Sequence, residues 1–117
     1  MTDQPYDFTG LRALFINCTL KRSPEPSNTQ GLVDISTQIM TKQGVEVDVV
    51  RAVDHNIATG VWPDMREHGW TVDDWPMIFE KVLAADKAMH DYVQTKYPDF
   101  VAQLERDKAF NKDVEAK

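Results

Sequence analysis

Cysteine, long apolar runs and a secretory start are what this sequence has least of. Cys18 is the one cysteine in 117 residues, so the chain cannot form an internal disulfide or a thiolate cluster for a metal. No apolar run approaches the roughly 20 residues that span a bilayer. The N-terminal segment also lacks the basic start and apolar stretch of a signal peptide. These absences predict a cytoplasmic protein without a membrane partner.

Basic side chains are scarce as well. Lys and Arg number 13 against 19 Asp and Glu, which gives a formal net charge of −6. A general nucleic-acid binder needs a basic face that displaces counterions from phosphates, so we expect no nucleic-acid partner. His55, His68 and His90 lie in separate segments without the spacing of metal ligands, and the sequence predicts no metal site.

The residues that are present suffice for one compact unit. An apolar fraction of 42% can build a single core in a chain of this length. No internal repeat or low-complexity tract divides the sequence. We therefore expect one domain over residues 1–117.

The first part of the chain has the pattern of a β-α-β unit. Residues 11–17, LRALFIN, form a nearly continuous apolar run, typical of a strand covered on both faces of a parallel sheet. A polar loop follows, and Ser27 with Gln30 makes a capping box that predicts a helix from about Asn28 to Gly44. Residues 45–50 alternate between valine and acidic residues, which predicts a second strand at a wetter sheet edge.

The second part is predicted to be a long loop followed by helices. Residues 52–72 have no sustained period, and Asp73 or Asp74 is placed to cap a helix over residues 74–96. Pro98 starts a shorter helix, and Asn111 caps a final turn. The fold class expected is α/β: a partial flavodoxin-like, Rossmann-like β-α-β-α unit with a short parallel sheet, followed by C-terminal helices. The predicted apolar face of the long helix consists of Trp75, Ile78, Phe79, Val82, Leu83, Met89 and Val93.

The loop between the first strand and the first helix is a candidate anion site. It brings hydroxyl and amide side chains to a helix N-terminus, where free N–H groups and the helix dipole attract negative charge. Lys21 and Arg22 form the only adjacent basic pair before residue 87. The alternative is a solvated loop with an ordinary cap, since neither a GxGxxG nor a GxxxxGK[ST] motif is present.

Three further features have a structural and a functional interpretation. Cys18 is either a small buried filler or a nucleophile beside the loop. Asp54 and His55 are either solvated loop charges or an acid–base pair. Trp62 and Trp70 either cover the sheet edge or stack on a flavin or partner.

The segment NCTLKRSPEPSNTQGL, after the strand RALFI, resembles the phosphate loop of flavodoxin-like, NADPH-dependent FMN reductases. The likeness continues through GVEVDVVRAVDHNIATGVWPDM to WPMIFEKVLAAD and covers residues 11–86. It implies a doubly wound parallel sheet, a small phosphate-bearing ligand and FMN as the cofactor, with no catalytic residue assigned. The FMN phosphate contacts implied by the resemblance are Thr19, Lys21, Arg22, Ser27, Asn28 and Thr29.

Beyond the helix ending in LAAD, that family continues with a third strand, whereas this sequence continues KAMHDYVQTKYPDF. The tail, about residues 88–117, resembles the C-terminal helical region of ATP synthase alpha subunits, without that subunit's nucleotide-binding part. Two resemblances meeting near Asp86 and Lys87 predict a chimeric or designed protein, with at most residual FMN or phosphate binding and no efficient catalysis.

Two other functions remain open from the sequence. One is an FMN-dependent NAD(P)H oxidoreductase that completes its site by oligomerisation, and the other is a helical interaction module. A missing third strand would leave one edge of LRALFIN open to a second copy, so we also expect a homodimer.

Overall fold

The computed structural model describes residues 7–115, and their side chains as far as residue 108. It is an α/β unit with a short two-stranded parallel sheet and C-terminal helices, which confirms the predicted fold class. Two 3-10 turns, Ala52–Asp54 and Met65–His68, interrupt the long loop. The regular elements are β1 (Arg12–Asn17), α1 (Asn28–Lys42), β2 (Glu46–Arg51), α2 (Trp75–Lys96) and α3 (Pro98–Glu115).

Helices α1 and α2 lie on opposite faces of the sheet. The strands pair in register from Arg12 with Glu46 to Asn17 with Arg51. Because side chains alternate between faces, Asn17 and Asp48 point to opposite sides. The Asn17 side chain contacts Gln30 in α1, whereas Asp48 forms an ion pair of 3.8 Å with Lys81 in α2. Each face of the sheet is therefore covered by one helix, with α2 packed over β1.

The buried core is small because two strands offer little surface. Among the described side chains, the buried hydrophobic residues are Val33, Val50 and Ile78. Many large apolar side chains of the described residues are exposed instead, among them Leu20, Leu32, Val61 and Leu104.

The apolar face predicted for α2 is only partly buried. Ile78 is fully buried, but Leu83 and Met89 are about half exposed. With strands about 4.8 Å apart, a pair of strands contacts only one stripe of each helix.

Helix α1 is also only partly buried, and its exposed apolar residues lie in one row. Val33 faces the sheet and is buried, while Leu32, Ile35 and Ile39 are 68%, 58% and 55% exposed. Their spacing of three and four residues places them on one side of the helix. We call Leu32, Ile35 and Ile39 the outer stripe of α1.

The helices end where the sequence predicts, with one exception. Helix α2 ends as Tyr97 N–H donates to the Val93 carbonyl at 2.8 Å, and Pro98 begins α3. The prediction of a separate final turn capped by Asn111 is wrong, because α3 continues to Glu115. No glycine or proline follows Pro98 to interrupt it. The side chain of Asn111 lies outside the described side chains.

Two further findings concern the helices. Helix α2 passes through Asp86 and Lys87 without a break. The continuity of α2 does not test the domain organisation. A single domain over residues 1–117, made of the parts 11–86 and 87–117, therefore stays a prediction. Within residues 7–115, no helix combines the length and the apolar character needed to cross a membrane.

The continuity of α2 can be tested with glycine. Ala85→Gly and Ala88→Gly should each lower the free energy of unfolding by about 1 kcal/mol, the helix-interior penalty of glycine. Urea unfolding monitored by circular dichroism measures the change. Ala58→Gly, in the long loop, is the control, because glycine carries no helix-interior penalty there. Unchanged unfolding midpoints for both α2 variants would show that residues 85–88 are not helical in solution.

Candidate phosphate-binding loop

The loop from residue 18 to residue 27 is fixed at its start by the last residue of β1. Asn17 is 1% exposed, and its side-chain amide donates to the Gln30 side-chain oxygen at 3.0 Å. The Asn17 side-chain oxygen accepts a hydrogen bond from Thr19 N–H, also at 3.0 Å. One buried side chain therefore joins the end of β1, the beginning of the loop and the first turn of α1.

The end of β2 fixes the middle of the same loop. The buried Arg51 side chain donates from one terminal nitrogen to the carbonyl of Lys21 at 3.0 Å and to that of Glu25 at 2.9 Å. Among the described side chains, which extend to residue 108, no carboxylate lies within ion-pair distance of Arg51. The Arg51 charge acts at longer range on the carboxylate of Asp54.

Asp54, in the turn after β2, fixes the same loop at a third position, Ser23. Its carboxylate accepts hydrogen bonds from the backbone N–H of Ser23, at 2.9 Å, and from the Ser23 hydroxyl. These bonds, with a smaller contribution from the charge of Arg51, lower the pKa of Asp54. The His55 ring lies 3.8 Å from the Asp74 carboxylate, and among the described contacts it has no hydrogen bond to Asp54, the partner considered from the sequence.

The loop ends at the N-terminus of α1, as the capping box predicts. The Ser27 hydroxyl accepts a hydrogen bond from Gln30 N–H at 3.2 Å. Within the described part of the chain, the backbone N–H groups of Asn28 and Thr29 have no partner. The Lys21 ammonium donates to the Pro26 carbonyl at 3.3 Å, so it lies next to this helix start.

The six residues predicted to contact the phosphate therefore do not all lie at the helix N-terminus. Lys21, Ser27, Asn28 and Thr29 meet at the helix N-terminus. Thr19 uses its hydroxyl within the loop, accepting from Lys21 N–H at 3.3 Å. Arg22 is exposed on the loop. Cys18 is also exposed, so it is not the buried filler that the sequence favours.

Sequence reasoning missed the residues that shape this loop. Asn17 and Arg51 are the last residues of β1 and β2, and Asp54 ends the 3-10 turn that follows β2. In a parallel sheet the carboxyl ends of both strands lie at one edge, where their polar residues meet. The position of polar residues at the carboxyl ends of both strands was therefore the signal in the sequence that could have identified them.

A second polar centre organises the long loop before α2. Asp73 is buried, and its carboxylate accepts backbone hydrogen bonds from Ala58 at 3.1 Å, Met65 at 3.0 Å and Trp75 at 3.0 Å. The bond from Met65 is the main reason that the pKa of Asp73 is lowered. Asp74 occupies the cap position of α2, but its side chain accepts from Asn56 N–H at 2.8 Å instead.

A cavity of about 390 Å³ opens beside Asp73. Trp62, Trp75 and Phe79 form its aromatic walls, and Trp62 stacks on His68 with ring centroids 4.6 Å apart. Trp70 is partly exposed and does not line it. Within residues 7–115 no group of three or more His, Cys, Asp or Glu side chains is placed to hold a metal ion.

Comparison with known proteins relates the chain to enzymes of flavin phosphates. It is 41% identical over 83 residues to 8-demethyl-8-aminoriboflavin-5'-phosphate synthase of Streptomyces davaonensis, covering 65% of this chain and 32% of that protein. The crystal structure of RosB with the bound intermediate 8-demethyl-8-formylriboflavin-5'-phosphate superposes with a TM-score of 0.56. The identity is 42%, over 65% of this chain and 32% of that chain.

A second relative has a different name. The chain is 64% identical over 81 residues to the divalent metal cation transporter MntH of Mycobacterium bovis, covering 69% of this chain and 12% of the transporter. The chain thus spans about a third or less of the curated relatives that it matches. No protein-family model matches it.

These findings overturn two expectations. The resemblance to FMN reductases and to ATP synthase alpha subunits is wrong, because the similarity found is to the riboflavin-phosphate synthase, to RosB and to part of MntH. A β-α-β phosphate loop and an amphipathic tail are shared by many proteins, which explains the error. The prediction of a chimera without efficient catalysis is overturned by the same synthase and RosB matches.

Removing the Asp73 charge should destabilise the long loop. In Asp73→Asn the amide group turns a donor toward one of three backbone N–H groups, so we expect the melting temperature to fall by about 5 °C or more. The folded pKa of Asp73 lies below its unfolded value. Its contribution is therefore present above the unfolded pKa and is lost as the pH falls through the folded pKa.

Thermal melts from pH 7 to pH 2 measure both effects. The difference in melting temperature between wild type and Asp73→Asn should be largest near neutral pH and should shrink on acidification. Asp99→Asn, in the first turn of α3, is the control for removing one carboxylate. A difference that is independent of pH would contradict the role given to the charge.

Proposed function

We propose that this chain binds the phosphate of riboflavin-5'-phosphate or of a derivative modified on its ring. It would supply the phosphate-binding part of a cytoplasmic enzyme that modifies such flavins. The contacts proposed are Thr19, Lys21, Arg22, Ser27, Asn28 and Thr29.

The observation that carries the proposal is the arrangement of donors at the N-terminus of α1. Two backbone N–H groups, of Asn28 and Thr29, lack a described partner, and the Lys21 ammonium lies beside them. A helix N-terminus with free N–H groups favours an anion, and an ammonium strengthens the attraction. Arg51 and Asn17 hold the loop in this form, so little ordering remains for the ligand to induce.

The charges around the loop also favour a phosphate dianion. Lys21, Arg22 and the buried Arg51 lie in or under the loop, although the whole chain is acidic. The Asp54 carboxylate opposes them, but two hydrogen bonds from Ser23 occupy it. The identity to a synthase named for a riboflavin phosphate supports the proposed ligand class, and the geometry of the loop supports binding through the phosphate.

Replacing both basic loop residues should weaken phosphate recognition. Lys21→Ala with Arg22→Ala should reduce FMN binding by about 1–3 kcal/mol, the loss expected for charge-assisted hydrogen bonds to a phosphate. Binding of riboflavin, which has no phosphate, should change little. Flavin fluorescence titrations of both ligands measure the difference.

The control for this variant carries the same charge change elsewhere. Arg106→Ala with Lys108→Ala removes two basic residues from the exposed face of α3. It should leave FMN binding unchanged. Equal affinities of wild type for FMN and riboflavin, or no effect of the loop variant, would remove this loop as the phosphate site.

We also propose a homodimer, but through a different surface from the edge of LRALFIN on which the sequence-based expectation rested. The outer stripe of α1 gives it a surface, since three large apolar side chains lie together in solvent. Antiparallel packing of two such stripes would follow ordinary ridge-into-groove geometry.

Sedimentation equilibrium at micromolar concentration tests self-association. We expect a species of about twice the chain mass of 13.4 kDa. Ile35→Glu should return it to the monomer, whereas Gln38→Glu, also exposed on α1, should not. A wild-type chain that sediments as a single species of 13.4 kDa would refute the dimer.

A further inference from the structure

The cavity of about 390 Å³ beside Asp73 combines aromatic walls with one charged group. Trp75 and Phe79 are four residues apart in α2, so they lie on one side of the helix, with ring centroids 6.0 Å apart. Trp62 lines the cavity from the long loop, and Asp73 is the one lining residue with a charged side chain. The volume falls in the range of small-molecule sites, roughly 300–1,000 Å³.

The wall formed by Trp62 is fixed without a ligand. Its ring stacks on His68 with an interplanar angle of 16°. The Asp73 carboxylate accepts hydrogen bonds from the backbone N–H groups of Ala58 and Met65, which lie on either side of Trp62 in the loop. Trp62 is nevertheless 55% exposed, so its ring is accessible to a ligand. Little of the loop therefore has to be ordered on binding.

The Asp73 carboxylate places an uncompensated negative charge beside these rings. Its three donors are peptide N–H groups, which carry no net charge. Among the described side chains, no cation lies within ion-pair distance of Asp73. Arg66 acts on Asp73 only at longer range, since its guanidinium donates to Asp64 at 2.9 and 2.8 Å. The positive end of the α2 dipole opposes the Asp73 charge but amounts to only about half a unit.

Aromatic faces and a buried carboxylate together attract an organic cation. The face of an aromatic ring is negative, and a cation within about 6 Å of the ring centre is attracted to it, most strongly by tryptophan. The charge of the buried Asp73 adds to this attraction and is screened less than a surface charge. The methyl groups of an alkylammonium also match the apolar part of the walls. A metal ion is a poorer match, because within residues 7–115 no group of three or more His, Cys, Asp or Glu side chains is placed to hold one.

We propose that this cavity binds a small soluble alkylammonium compound, with its cationic head group among Trp62, Trp75 and Phe79 and close to Asp73. A flavin phosphate carries no such group. The cavity therefore serves a second ligand, different from the one proposed for the loop at residues 18–27. This inference does not depend on phosphate binding.

Choline and its uncharged carbon analogue, in which a carbon atom replaces the nitrogen, test the role of the charge. Each is titrated at constant ionic strength, without flavin, into the full chain labelled with nitrogen-15. The chain has three tryptophans, so the indole N–H signals report two positions in the cavity, Trp62 and Trp75, and one outside it, Trp70. We expect choline to shift the first two signals saturably and the analogue to bind about tenfold more weakly.

Matched tryptophan variants locate the binding. Trp62→Leu should weaken choline binding by about fivefold or more, whereas Trp62→Phe keeps an aromatic face and should weaken it less. Trp70→Leu removes a tryptophan of the same loop that does not line the cavity, and it should leave choline binding unchanged. Circular dichroism checks that each variant folds. If Trp62→Leu does not fold, Phe79→Leu on the helix side of the cavity takes its place.

Vesicles of phosphatidylcholine separate a soluble ligand from a lipid head group of the same chemistry. The chain is sedimented with the vesicles, and we expect it to stay in the supernatant. Co-sedimentation that free choline prevents would assign the cavity to a lipid and would overturn the proposal of a soluble ligand.

Four other results would overturn the proposal. The first is that choline does not bind. The second is equal affinity for choline and its carbon analogue, which would mean an apolar cavity without recognition of charge. The third is a shift of the Trp70 signal as large as those of Trp62 and Trp75, which would mean unspecific binding. The fourth is displacement of choline by riboflavin, which would assign the cavity to a flavin ring.

Discussion

The contact on which the candidate site depends is the one between Arg51 and the loop after β1. Parallel strands end at the same edge of a sheet, so residues that follow them can meet although they are distant in sequence. Arg51 uses this proximity to hold the carbonyls of Lys21 and Glu25. A guanidinium is suited to this because it presents several donors in a rigid, planar arrangement. The loop is thereby shaped before any ligand arrives.

The second constraint is the narrow sheet, which determines what the rest of the surface looks like. Two strands can bury only one stripe of each covering helix, so Val33, Val50 and Ile78 make a small core. The region after β2 compensates with polar rather than apolar organisation. The Asp73 carboxylate gathers three backbone N–H groups and so orders a loop that has few buried side chains.

The sequence predicted the elements well because their signals are local. The capping box at Ser27, the apolar run of β1 and Pro98 each act within a few residues, and the observed bounds agree with them. Contacts over longer distances were not predictable in this way. Arg51 lies 30 residues from Lys21, and Asp54 lies 31 residues from Ser23. No periodicity encodes which loop a strand-end residue will reach.

The same distinction explains why a resemblance gave the fold class correctly and the relatives incorrectly. A β-α-β unit with a capped helix start reports a physical solution to holding an anion, which unrelated enzymes share. All the side chains that shape the loop lie between Asn17 and Asp54. That stretch is therefore sufficient to shape the loop for which we propose phosphate binding, whichever chemistry follows at the other end of the ligand.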